Sequence, residues 1–324
     1  MTPKENLIRT LTVDNPEWIP DMLKDFKFVV PIGVLNEMGM NNEDWFGVHW
    51  TAPPSAGMIP QPAPTAGREP LKDISQWREK VIFPDLDALD WDEAAKQLGV
   101  FESEGLANYM LVPIGIFERV SALMGMQNAF IAMLTDPEEY DALVEAITQF
   151  KIKLYGILID RLNISVISHS DDFGSRLGML ISPEAFRRFF KPRLKRIADA
   201  IHAKGAIAMM HCCGKIDDIV DDFVECGFDG WESCEVCNDL DGIYEKYGDR
   251  FSFCGAMNAQ ALNDNPNTTE DDAKKELRTR IDQLGGKGGF IPGYLGLDPK
   301  FYPVLAGELA TYGAEFTKKR LAAR

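Results

Sequence analysis

No stretch of the 324 residues stays apolar for the roughly 20 positions that a bilayer crossing needs; the longest runs resemble Tyr109 to Phe117. Positive charge is short as well, with 34 Lys+Arg against 50 Asp+Glu and a formal net charge of −16. Binding nucleic-acid phosphate or an anionic membrane surface normally starts from a Lys/Arg patch, so this balance excludes both as main partners. The opening MTPKENLIRTL sets Lys4, Glu5 and Arg9 where a secretion signal carries its apolar core, and a cytoplasmic protein is expected. Neither G-x-G-x-x-G nor G-x-x-x-x-G-K-[ST] occurs, which argues against a nucleotide-binding open sheet. Repeats and a second compositional regime are lacking too, so residues 1–324 read as one domain.

What is present is a core-forming content of 45% hydrophobic residues and six cysteines, all between Cys212 and Cys254. In a long chain with no export signal, reduced thiols or a metal site are expected in preference to a disulfide framework. Thr2, Pro3 and Glu5 spell a capping box for an N-terminal helix. From Asn41 to Pro70 the chain is rich in Pro, Gly and Trp and reads as a long loop; Trp45, Phe46 and Trp50 suit either a pocket wall or staples to the body.

From Asn108 onward, apolar runs of strand length (Met110 to Ile116, Ile164 to Ser168, Ala206 to Met210, Phe228 to Trp231, Phe251 to Phe253, Gly289 to Ile291) alternate with amphipathic helical stretches. Asp136-Pro137 and Ser182-Pro183 open helices, and Gly205, Gly227 and Gly285 stand where helices end. Continuous apolar strands interleaved with helices predict a parallel sheet covered on both faces. The expectation is an α/β fold, a single (β/α)8 TIM-type barrel with an N-terminal helical and loop extension, whose chemistry lies at the strand C-terminal ends.

Five of those ends carry polar groups. His211-x-Cys213 is the sharpest feature: residues i and i+2 of a strand face one side, so an imidazole and a thiolate point together. Cys254 supplies a second sulfur, and one nitrogen with two sulfurs suits Zn²⁺ with an open fourth position. The same cysteines also suit burial as small apolar residues. Asp171 and Asp172 are the candidate catalytic carboxylates, or one of them closes the turn at Gly174. Glu232 and Glu235 offer a further ligand or a partner to one. His169, Trp231 and Tyr294 are the candidate substrate contacts.

The landmarks Pro113-Ile114-Gly115-Ile116-Phe117-Glu118-Arg119, Leu123-Met124-Gly125, Asp136-Pro137-Glu138, Ser182-Pro183-Glu184-x-Phe186, His211-x-Cys213-Gly214 and Pro292-Gly293 together resemble the uroporphyrinogen decarboxylase superfamily. That resemblance implies one (β/α)8 barrel. The decarboxylases' N-terminal R-Q-A-G-R segment has no counterpart here, where the opening reads Trp18-Ile19-Pro20-Asp21. The likeness is closer to the zinc methyltransferases of corrinoid systems, which carry His-x-Cys and a distant Cys. In the thiol-methylating members that cysteine sits in a Pro-Gly-Cys turn, which is Pro292-Gly293-Tyr294 here, so a third ligand falls to Cys254 or a carboxylate. The resemblance then implies the O-demethylase branch: a zinc-dependent methyltransferase moving methyl from a methoxylated aromatic, or a similar small donor, to cob(I)alamin on a corrinoid protein. A methylcorrinoid:thiol methyltransferase and a porphyrinogen decarboxylase are the alternatives.

Overall fold

The computed structural model describes residues 1–52, 62–102, 105–294 and 296–323. Seven parallel strands form its sheet: β1 (Phe26–Val29), β2 (Ala107–Val112), β3 (Ile164–Ser170), β4 (Ile207–His211), β5 (Gly230–Cys234), β6 (Ser252–Gly255) and β7 (Phe290–Pro292). Each strand pairs with its successor in sequence. Helix α1 (Pro3–Leu11) precedes β1, and helices fill the crossovers, the main ones being α2 (Ile116–Met124), α3 (Pro137–Leu162), α4 (Lys191–Ala203), α5 (Asp217–Cys226) and α6 (Glu270–Leu284). This is TIM-barrel topology, with seven strands of the expected eight among the described residues.

The sheet curls. A flat sheet would hold β2 and β5 about 14 Å apart at ~4.8 Å per strand, yet Tyr109 on β2 and Ser168 on β3 both donate to the Glu232 carboxylate on β5, each at 2.6 Å. Helix α1 touches β1 and β2 at one edge and β6 and β7 at the other. In place of a ladder between β7 and β1, the Tyr294 hydroxyl after β7 donates to Asp21, and its N–H lies 3.3 Å from the Met22 sulfur, just before β1.

Most strands run one to three residues beyond their apolar stretch, because a ladder needs only backbone groups and accepts Ser170, His211 and Cys234 at its polar end. The exception is Met110 to Ile116: β2 stops at Val112, and Ile116 already belongs to α2. β1, short and half-buried at its centre, escaped the pattern. The chain from Ile116 to Thr135 is two helices, broken where Gly125 turns to φ +77°. The capping box at Thr2 forms as read.

Residues 53–61, the middle of the Pro- and Gly-rich stretch, lie outside the described residues. Its flanks pair, Trp50–Thr51 antiparallel to Ala63–Pro64, where the sequence suggested no strand. Phe46 and Trp50 are staples: both are buried, and the Phe46 ring packs on Phe83 and Phe150. Two wholly buried ion pairs fasten this segment and the residues just before it, Arg119–Asp44 at 2.5 Å and Lys151–Glu37 at 2.7 Å. Removing one partner of such a pair strands a charge in the core, so Lys151→Met is expected to cost about 3–5 kcal/mol, with partial recovery in Lys151→Met/Glu37→Gln; urea unfolding of both variants checks it.

Candidate metal centre at the strand ends

The site is built by strand alternation. Ser168 and Ser170 on the inner side of β3 are followed at period two by Asp172 just beyond its end, and Met209 and His211 on β4, Glu232 on β5 and Cys254 on β6 face the same way. At the rim, His211 Nε2 lies 3.4 Å from Cys213 Sγ, and Asp172 accepts the Cys213 N–H at 2.7 Å. One ligand atom from each of Asp172, His211 and Cys213 falls within 4.8 Å of the others. Tetrahedral Zn²⁺, with Zn–N near 2.0–2.1 Å and Zn–S near 2.3 Å, would place nitrogen and sulfur about 3.5 Å apart, so the pair fits that ion. Two glycines bring the loops together: a Cβ on Gly174 would stand 2.6 Å from the Cys213 carbonyl oxygen, and Gly214, at φ +85°, packs on Gly174.

Behind these three residues, Glu232 Oε1 stands 3.6 Å from His211 Nδ1, a buried nitrogen with no hydrogen-bond partner among the described residues. Burial lowers the imidazole's proton affinity, but the Cys213 sulfur and Glu232 outweigh it and hold His211 well above the ordinary histidine range. Burial likewise opposes the Glu232 charge, and His211, Ser168 and Tyr109 together keep that carboxyl below the usual range. A site that favours positive charge at His211 is one where a cation can replace the proton.

Other expected site residues stand elsewhere. Cys254 faces inward but is buried beside Glu232 and Cys234, with its thiol pushed up by that burial, and it lies outside the three-residue group. Asp171 and Asp172, adjacent in sequence, point to opposite sides. Asp171 is buried and takes the N–H groups of Ile116, Phe117 and Glu118 at 2.8, 3.0 and 2.9 Å, tying down the start of α2. The expectation that His169 meets substrate fails for the same alternation: it turns toward the helices, its Nδ1 paired with the Tyr155 hydroxyl at 2.6 Å, and burial with the Lys151 charge keeps it neutral. Trp231, expected to meet substrate, also faces the helix layer, fully buried, its indole N–H holding the Cys212 carbonyl at 2.9 Å and so fixing the loop after β4. Tyr294, likewise buried, is committed to Asp21.

Burial pushes the Asp171 carboxyl up to about 7 despite its three N–H donors, against 3.8 for an ordinary aspartate. A carboxyl raised on folding contributes stability that is full below its unfolded value and lost as pH rises through the folded one. Asp171→Asn should therefore be less stable than the parent near pH 5, since its amide NH₂ must face helix N–H groups, yet lose less between about pH 5 and pH 8. Urea midpoints at the two pH values test this.

Sequence reasoning missed Glu118 as a site residue. It lies half-buried in the first turn of α2 and feels the charges of Asp172, Asp171 and His211. The available signal was Gly115-x-x-Glu118 at a helix start directly after a strand end.

Comparison with known proteins gives a consistent family signal. Residues 113–293 match the family model for uroporphyrinogen decarboxylase (URO-D). Over 115 residues the chain is 30% identical to the methylcobamide:CoM methyltransferase MtaA of Methanosarcina barkeri, covering 35% of this chain and 33% of that protein. The corresponding protein of Methanosarcina barkeri strain Fusaro / DSM 804 is 29% identical over the same length. The matched region thus spans about a third of these curated relatives. A methyltransferase structure from Methanosarcina mazei superposes with a TM-score of 0.73 over 96% of this chain and 99% of that one; at 17% identity, the likeness is one of fold.

Proposed function

Because the chain belongs to the uroporphyrinogen decarboxylase (URO-D) family, its family region spanning residues 113–293, we propose that it is a zinc-dependent, corrinoid-linked methyltransferase that takes methyl from a methoxylated aromatic or similar small donor. The methyl acceptor in this reading is cob(I)alamin carried by a separate corrinoid protein. The observation that carries it is the convergence of Asp172, His211 and Cys213 at the barrel mouth, a donor set suited to zinc and reachable from outside. Zinc held there would act as a Lewis acid on the donor's oxygen, the requirement for cleaving an ether whose phenolate leaves badly.

The chain's own residues do the positioning. Glu232, anchored by Tyr109 and Ser168, aims the His211 ring; Trp231 fixes the Cys212 carbonyl; and the Asp171 clamp sets where Asp172 emerges. All six cysteines are free, in keeping with a reducing, cytoplasmic setting, and among the described residues no helix is long and apolar enough to cross a membrane. A second reading, methyl transfer from methylcorrinoid to a thiol, is favoured by the likeness to the methylcobamide:CoM methyltransferases of Methanosarcina barkeri.

The direct test mixes purified protein with cob(I)alamin and guaiacol and follows the corrinoid spectrum alongside catechol release. Methylated corrinoid and catechol in equal amounts are expected. Absence of transfer from guaiacol, vanillate and veratrole alike would overturn the donor class.

A further inference from the structure

Strand alternation sets Glu232 inside the barrel, between Tyr109 and Ser168, so the next residue of β5, Ser233, would turn outward to the helices as Trp231 does. It turns inward. The pairing of β5 with β6 slips at this point: Glu232 stands opposite Cys254 and Cys234 opposite Gly255, which leaves Ser233 without an opposite residue. The result is a β-bulge, and in it Ser233 takes φ +59°, a left-handed conformation uncommon for a residue with a Cβ. The bulge re-aims the side chain at the mouth, where the Cys213 thiol donates to the Ser233 hydroxyl oxygen at 3.4 Å. Backbone on both sides holds the bulge in place. The Cys212 N–H donates to the Glu232 carbonyl at 3.3 Å and the Ala256 N–H to the Cys234 carbonyl at 2.9 Å. β6 closes on it through Gly255, where a Cβ would stand 3.3 Å from the Ser233 Cα. A strained conformation persists only where its surroundings over-determine it, and this one delivers a hydroxyl to the sulfur of the metal group.

We propose that Ser233 is a positioning residue of the centre, whose hydroxyl donates to the Cys213 sulfur when a metal ion is held there and so sets how much electron density that sulfur gives the ion. The proposal rests on the zinc-centre reading. A cysteine ligates a metal as thiolate, which can only accept, so the roles of the two groups reverse and the hydroxyl proton points to sulfur. A thiolate that shares a lone pair with a donor gives less density to the ion. The ion is then the stronger Lewis acid toward an ether oxygen, and the sulfur is the poorer nucleophile toward a methyl group. The second consequence matters in an enzyme that handles methyl groups beside its own thiolate.

Co(II) in place of zinc makes the hydrogen bond visible, because a sulfur freed of its donor gives an electron to the ion more readily. In Ser233→Ala, which keeps the Cβ and loses the hydroxyl, the sulfur-to-cobalt charge-transfer band is expected at longer wavelength than in the parent, with Co(II) still bound. Ser233→Gly loses the hydroxyl and also relieves the left-handed turn, so it should show the same shift with a higher melting temperature than Ser233→Ala. Iodomethane, which loses iodide as the methyl bonds to sulfur, should methylate Cys213 several-fold faster in both zinc-loaded variants than in the zinc-loaded parent, read by peptide mass. With guaiacol, kcat should fall about 10–100-fold in both. A parent-like band in Ser233→Ala, a shift in Ser233→Gly alone, or equal methylation rates would each overturn the assignment. A parent that takes up no Co(II) would remove the centre on which it rests, whereas the band shift in a protein that demethylates no ether would uphold Ser233 and overturn the donor class.

Discussion

Cys213→Ser is expected to lower bound zinc from about one ion per chain to less than about a tenth of that, with the fold intact. The thiolate is the strongest donor of the group, and a serine hydroxyl stays protonated at neutral pH, so the ion would keep only His211 and Asp172. The fold should survive because the loop's anchors are backbone atoms: the residue 213 N–H on Asp172, the residue 212 carbonyl on Trp231, and the Lys215 N–H on the Ser175 carbonyl. Cys254→Ser is the informative partner. It removes a sulfur seated beside Glu232, outside the ligand group, so zinc should be retained. Elemental analysis after growth with zinc decides both, and full occupancy in Cys213→Ser would remove the centre altogether. Zinc lost only with Cys254→Ser would show that the second sulfur moves in to bind the ion.

The second large effect concerns the direction of chemistry. Demethylation of aryl methyl ethers by cob(I)alamin should exceed methylation of coenzyme M-like thiols from methylcobalamin by at least ~100-fold, about 2.7 kcal/mol in barrier. The absence of a cysteine at Tyr294 does not leave the centre short of negative charge, since Asp172 supplies an anionic ligand and Tyr294 is turned away to Asp21. The difference lies in donor character: a carboxylate is harder and gives less electron density than a thiolate, so the ion remains the stronger Lewis acid toward an ether oxygen. Both half-reactions run on one preparation decide the matter. Robust thiol methylation without ether cleavage would place the protein with its Methanosarcina barkeri relatives in activity as well as in sequence.

Period and punctuation in the sequence determined the α/β alternation, most strand positions from residue 107 onward, and the pairing of His211 with Cys213, because all of these follow from local geometry that a window of a few residues contains. Alternation says which residues share a face, but not which face looks inward. That sign is set by how the sheet curls, and only the tertiary structure decided it. It sends Asp172 and Glu232 to the interior and their neighbours Asp171, His169 and Trp231 to the helices, where each becomes a fastening. Closure of the sheet committed Tyr294 to Asp21 across 273 positions of chain, and the curl set Asp172 with His211 and Cys213 while leaving Cys254 apart. The start of α2 is set in the same way, by Asp171 on the Glu118 N–H and Asp44 on the Arg119 guanidinium, 53 and 75 residues away, and no local pattern records contacts made over such distances.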